Sequence, residues 1–234
     1  MVLFFLPHAG GSAKSYSSFK RFLPKELNVV PMELSGRFTR SAEPLLDTVE
    51  ECAADLIEKH RALLENEDYA LFGHSMGTVL ACELIRQAKA KGLKMPVHVF
   101  FSGKNPPDEG VHCFKNVENA SDEEIVDFFA KNSLSSNAPV PDEELMRTLN
   151  RILCTDVRMA ERYSVSPEQV GLSCDITVLY GTEDVLMQDV DMSSWKRFTS
   201  GCCKTIGLSG GHFYYTQHKE DICRVIAETL GIQR

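Results

Sequence analysis

Long apolar runs are missing from this chain of 234 residues: no stretch approaches the ~20 consecutive apolar residues that a membrane helix needs, so a helical membrane span is excluded. The apolar opening Val2-Leu3-Phe4-Phe5-Leu6 is too short, and lacks the basic start, for a secretory signal, so a soluble, cytoplasmic protein with no membrane partner is expected. A basic excess is missing as well. The formal net charge is −8 and there is no basic tail, which argues against nucleic acid as a partner. Eight cysteines are present, at positions 52, 82, 113, 154, 174, 202, 203 and 223, yet none forms C-x-x-C and no Cys/His cluster has zinc-ligand spacing. So many unpaired thiols point to a reducing compartment, and the adjacent Cys202 and Cys203 make a poor disulfide. The glycine-rich loop after the first apolar run has neither G-x-G-x-x-G nor a Walker lysine, so it is no phosphate cradle. No metal and no organic cofactor is expected.

What is present is the balance of a globular protein with an ample core: 43% hydrophobic and 25% charged residues. The length suits one α/β domain with an insertion. Short apolar runs at 2–6, 29–32, 69–72, 97–101, 176–180 and 204–208 alternate with helical patterns at about 48–64, 77–91 and 221–230, the last ending at Gly231. That alternation predicts βαβ units and a mainly parallel sheet flanked by helices. Between Pro107 and Gly171 it stops. Ser121-Asp122-Glu123-Glu124 reads as a capping box opening a helix over 125–131, followed by a polar, proline-containing loop at 133–141. Pro141-Asp142-Glu143-Glu144 then starts a longer helix toward Tyr163, with Leu145, Leu149, Ile152 and Leu153 on one stripe. The chain thus divides into a core at 1–107, a helical block at 108–170 and a second part of the core at 171–234. The block reads as a lid over the mouth of the sheet, with a plain packing subdomain as the alternative.

One pentapeptide carries the chemistry. Gly73-His74-Ser75-Met76-Gly77 is a G-x-S-x-G pattern lying between a strand-like run (Tyr69-Ala70-Leu71-Phe72) and a helix-like run that starts at Thr78. A serine on a tight strand-to-helix turn is thrust out of the sheet, and glycines on both sides make room for the strained backbone. The plain alternative is a βα turn whose serine caps the helix.

A serine hydroxyl becomes a competent nucleophile only when a base takes its proton, and the base needs a group to orient it. In this architecture the order along the chain is Ser, acid, His. Of the seven histidines, His8 and His60 precede the serine and His74 adjoins it. His98 lies in a strand pattern, His112 opens the helical block and His218 approaches the last helix. His212, in Ser209-Gly210-Gly211-His212-Phe213 between the last strand and the last helix, is the candidate base. The acid is expected in the loop Gly181-Thr182-Glu183-Asp184 after the fifth strand. Asp184 is the choice, and Glu183, Asp189, Asp191 and the more distant Asp108 are the alternatives. Oxyanion donors are expected from the N–H of Met76 and from the loop Pro7-His8-Ala9-Gly10-Gly11.

With these pieces in place the chain resembles the type II thioesterases of polyketide and nonribosomal peptide synthesis, within the α/β-hydrolase superfamily. Leu6-Pro7-His8-Ala9-Gly10-Gly11 is similar to the family's P-x-A-G-G loop, and Pro31-Met32-Glu33-Leu34-Ser35-Gly36-Arg37 to its P-x-x-L-P-G-R segment. The Ser75 elbow, the Asp184 loop with Trp195 downstream, and Gly210-Gly211-His212-Phe213 complete five motifs in order. The resemblance implies an α/β-hydrolase fold with a helical lid, a Ser75-His212-Asp184 triad, and an oxyanion hole from the Ala9 and Met76 amides. It also implies hydrolysis of acyl groups from the phosphopantetheine arm of an acyl or peptidyl carrier protein, by a chain expected to act as a monomer. His8, where the family often has an aromatic residue, and Phe213 are candidate substrate-binding residues. Lys14, Arg37 and Lys104 are candidate contacts to an acidic carrier. A general acyl-CoA thioesterase, a small-ester hydrolase or acyltransferase with the same triad, and a non-catalytic binding scaffold are the competing readings.

Overall fold

The computed structural model describes residues 1–109, 117–132, 142–187 and 190–232. Six strands lie in one sheet: β1 (Val2–Leu6), β2 (Asn28–Pro31), β3 (Tyr69–His74), β4 (His98–Ser102), β5 (Asp175–Gly181) and β6 (Cys203–Leu208). Their order is β2-β1-β3-β4-β5-β6, and every neighbouring pair is parallel. Each strand falls within two residues of its expected place.

Alternate residues of a strand face opposite sides of the sheet. In β1, Val2, Phe4 and Leu6 pack on one face against the helices α1 (Val49–Asn66) and α2 (Met76–Ala90). Leu3 and Phe5 pack on the other face with Tyr16 and Phe19, and with Ile222 of α6 (Lys219–Thr229). A strand covered on both faces has no polar side to show, which is why these runs are apolar throughout. The 3-10 helix Ala13–Arg21, which joins β1 to β2, was not anticipated. Its buried residues, Tyr16 and Phe19, lie three apart on one 3-10 face, and the polar residues between them hide the α-helical period.

The helical block contains α3 (Asp122–Asn132), α4 (Glu143–Arg162) and the short α5 (Pro167–Val170). The capping box at its start forms in both directions: Glu124 N–H donates to Ser121 Oγ, and Ser121 N–H to Glu124 Oε2. Asp142 caps α4 by accepting the Leu145 N–H. Along α4 the expected apolar stripe is only half realised. Leu145 is 48% exposed, whereas Ile152, Asp156, Val157, Ala160 and Tyr163 are buried. Apolar spacing identifies the inward face of a helix, but not how much of its length overlaps the core. Here the overlap begins near Ile152. His112, Cys113, the loop at 133–141 and Asp189 lie outside the described residues. Among those described, no helix is long and apolar enough to cross a membrane.

Strand order reverses direction around β1 and β3: the chain runs outward from β1 to β2, then returns to the far side of β1. In open parallel sheets such a switch point leaves a crevice beyond the carboxyl ends of the strands. Leu6 of β1 is in register with Gly73 of β3, so the loop after Leu6 and the turn after His74 open into the same crevice.

Candidate active site

Ser75 occupies the turn between β3 and α2 with φ 53° and ψ −117°. A non-glycine residue pays of order 1–3 kcal/mol for such a conformation, so its surroundings must impose it. Ser75 N–H donates to the Ser102 carbonyl at 2.8 Å, and Thr78 Oγ1 donates to the Gly73 carbonyl at 3.1 Å. The flanking glycines are required by space alone. A Cβ on Gly73 would lie 2.2 Å from the Gly77 carbonyl oxygen, and one on Gly77 would lie 2.4 Å from the Leu6 carbonyl oxygen.

His212 arrives from the loop after β6, and Asp184 from the loop after β5. Asp184 Oδ2 lies 2.8 Å from His212 Nδ1, and His212 Nε2 lies 3.0 Å from Ser75 Oγ. A carboxylate can only accept, so Nδ1 carries the proton and Nε2 is left to accept from the serine hydroxyl. The Asp184 side chain is fully buried, and its Oδ1 accepts the Leu186 N–H at 3.0 Å. Glu183 points elsewhere, and its Oε1 accepts the Gly210 N–H at 3.1 Å, which ties the acid loop to the histidine loop. Asp191 caps the 3-10 helix Met192–Phe198, and Asp108 pairs with Arg197, so neither is at the imidazole.

Two further imidazoles stand beside His212. His74 lies 5.0 Å from it, ring to ring, and hydrogen-bonds Ser102 Oγ through Nδ1 at 2.8 Å. Burial holds His74 well below the usual histidine range and brings His8 down to about 4, so both are neutral at pH 7. A proton taken by His212 therefore meets no cationic ring next to it. His8 and Phe213 pack edge to face at 5.2 Å beside the first loop and are not among the residues that line the cavity at Ser75.

That cavity measures about 20 Å³ and includes Ala9, Met76 and His212 on its wall with Ser75. Met76 is the first residue of α2, so its N–H has no acceptor within the helix. Phe129 of α3, Val157 and Ala160 of α4, and Leu186 and Met187 beyond the acid close the apolar side. These five were not singled out from sequence. Only proximity to Asp184 could have pointed to Leu186 and Met187; the helical residues carry no local signal. The remaining wall is a buried ion pair, Lys104 Nζ to Glu161 Oε1 at 3.1 Å. Lys104 and Arg37 were expected near the mouth as contacts to an acidic carrier, but neither presents its charge to solvent. Arg37 has no exposed side chain because it is paired with Asp156, and Lys104 is buried against Glu161. Lys14 is exposed.

A parallel sheet with a serine elbow at its switch point and a histidine and a carboxylate delivered from later strand ends defines an α/β hydrolase. The family profile described as "Thioesterase domain" matches residues 2–230, and the chain belongs to that family: it is a hydrolase acting on thioesters. It is 30% identical over 229 residues to "Thioesterase PikA5" of Streptomyces venezuelae, covering 98% of this chain and 80% of that protein. Among solved structures, it is similar to ClbQ from the colibactin NRPS/PKS pathway, with a TM-score of 0.90 and 31% identity over 98% of this chain and 96% of that one. It is also similar to the type II thioesterase BorB from the borrelidin biosynthetic cluster, with a TM-score of 0.84 and 33% identity, covering 97% and 91%.

Proposed function

We propose that this chain is a type II thioesterase serving a polyketide or nonribosomal peptide synthase, and that it frees acyl groups from the phosphopantetheine arm of a carrier protein. The observation that carries the chemistry is the chain of hydrogen bonds from Ser75 Oγ through His212 to Asp184, at 3.0 and 2.8 Å. Ser75 Oγ attacks the thioester carbonyl carbon while His212 Nε2 takes its proton, and Asp184 stabilises the imidazolium that forms. The Ala9 and Met76 N–H groups receive the negative charge that develops on the carbonyl oxygen. The tetrahedral intermediate collapses by breaking the carbon–sulfur bond, and the departing thiol sulfur receives the proton from His212. Water then attacks the acyl-Ser75 ester, again losing a proton to His212, and the free acid leaves with Ser75 restored.

The same reading makes the block at 108–170 a lid over the acyl site. Its support is that Phe129, Val157 and Ala160, all from this block, close the cavity next to Ser75. A docked carrier supplies binding energy remote from the reacting carbonyl, which an enzyme can use to lower the barrier. The test compares kcat/KM for one acyl group on a carrier protein and on coenzyme A. The carrier-bound form is expected to be preferred. Equal values would favour a general acyl-CoA thioesterase, and no turnover of either by a folded protein would sink the hydrolase mechanism.

A further inference from the structure

We propose that the Lys104–Glu161 pair selects the acyl group: it favours short acyl chains bearing a hydrogen-bond acceptor over plain alkyl chains. This rests on the thioesterase reading of the Ser75 site, since the pair lines the same cavity as Ser75, Ala9, Met76 and His212.

Lys104 follows β4 and Glu161 lies near the end of α4, and they are only 7% and 6% exposed. An ammonium has three N–H donors. Among the described residues, Glu161 is the only acceptor within hydrogen-bond distance of Lys104 Nζ, which leaves two donors to be met from the cavity side. The backbone at Lys104 is held in place, because Trp195 Nε1 donates to the Lys104 carbonyl at 3.0 Å and the indole stacks on Phe101 at 4.0 Å. The tryptophan downstream of the acid loop thus fixes the backbone that presents the cation to the acyl site.

A buried polar group left without a partner is costly, whereas a hydrogen bond to a charged group is among the stronger ones. An alkyl chain entering the cavity displaces water from the Lys104 donors and offers nothing in return. A hydroxyl or keto oxygen on the chain replaces that water. Apart from Ser75 and His212, which act on the thioester group itself, the side chains of the rest of the wall are apolar, so the pair is the feature that can distinguish the two acyl chains. Size adds a second limit. A cavity of about 20 Å³ has room for about one water, so a chain of more than a few carbons has to displace Phe129, Val157 or Met187.

The experiment measures kcat/KM for 3-hydroxybutyryl and butyryl thioesters of N-acetylcysteamine, in the wild type and in Lys104→Met/Glu161→Leu. Intrinsic reactivity is the same for both proteins, so the change in the ratio isolates the pocket. The wild type is expected to favour the hydroxyacyl substrate by roughly 10- to 100-fold, the range set by one charge-assisted hydrogen bond, and the double variant to bring the ratio close to one. A second variant, Lys104→Gln, keeps a donor on a shorter stem and should retain a smaller preference. A wild-type ratio near one, or a ratio unchanged in a variant that still cleaves butyryl thioester, would overturn the proposal and leave the pair as a tether between α4 and the sheet. If the wild type cleaves neither acyl group, whether presented on N-acetylcysteamine or on a carrier protein, the thioesterase reading of the site falls, and this inference falls with it.

Discussion

Arg37 and Asp156 form a bidentate ion pair with neither side chain exposed, Nη1 to Oδ2 at 2.5 Å and Nη2 to Oδ1 at 2.7 Å, and the same Oδ2 accepts the Gly10 N–H at 2.8 Å. One carboxylate on α4 therefore holds both the segment after β2 and the loop after β1 that carries Ala9.

Removing one partner of such a pair leaves an uncompensated buried charge. Arg37→Met is expected to cost about 3–5 kcal/mol in urea unfolding. Arg37→Met/Asp156→Leu should recover most of that loss, since well-packed apolar replacements of buried pairs are often neutral. It still leaves the Gly10 N–H without its acceptor, one residue from Ala9. The double variant should therefore show a lowered kcat with KM little changed; a wild-type kcat would mean that the pair has no part in holding the loop.

Ser75→Ala should abolish labelling by a fluorophosphonate probe with the fold intact, and full labelling of that variant would place the nucleophile elsewhere. The strained backbone gives a second readout. Ser75→Gly should be more stable than Ser75→Ala by ~1 kcal/mol, because only glycine adopts a φ of 53° without steric cost. Chemical denaturation of the two variants checks this, and equal midpoints would show that the turn carries no strain.

Asp184→Asn is expected to lower kcat by roughly 10³–10⁴, through loss of the tautomer that leaves Nε2 free to accept from Ser75. A mild effect there together with a severe one for Asp108→Asn would move the acid to the earlier strand.

The buried histidines set a pH window for stability. Burial brings His8 and His98 down to about 4 from an ordinary value of 6.5, so the unfolded chain binds their protons at a higher pH than the folded one. Their contribution is fully present above about 6.5 and is lost as pH falls toward about 4. The thermal midpoint should drop over that interval. His98, whose Nε2 meets Thr177 Oγ1 at 2.9 Å, lies away from Ser75, so His98→Gln should flatten the drop without changing the active-site residues. An identical slope in wild type and variant would exclude His98 as a contributor.

Much of the sheet was legible because burial on both faces leaves an unambiguous residue pattern: runs such as 97–101 and 176–180 can be little else than covered strands. The elbow was legible for a related reason, since a backbone this tight admits only glycine at 73 and 77, and the sequence displays that requirement directly. Less could be read where the partner is remote. Arg37 reads as a surface cation because arginine usually is one, and Asp156, which buries it, lies 119 residues along the chain. Lys104 misleads in the same way, with Glu161 57 residues off.

The sequence by itself determined the order of elements, the strained serine and the two loops able to bring an imidazole and a carboxylate to it, because each depends on residues within a few positions of one another. Only the tertiary structure decided which carboxylate meets His212. Glu183 and Asp184 are neighbours of the same charge, and closure of the β5 and β6 loops turns one to the Gly210 amide and the other to Nδ1. It likewise decided that two cations line or brace the site instead of facing solvent. Burial belongs to the packed chain, and a residue type only sets what burial will cost.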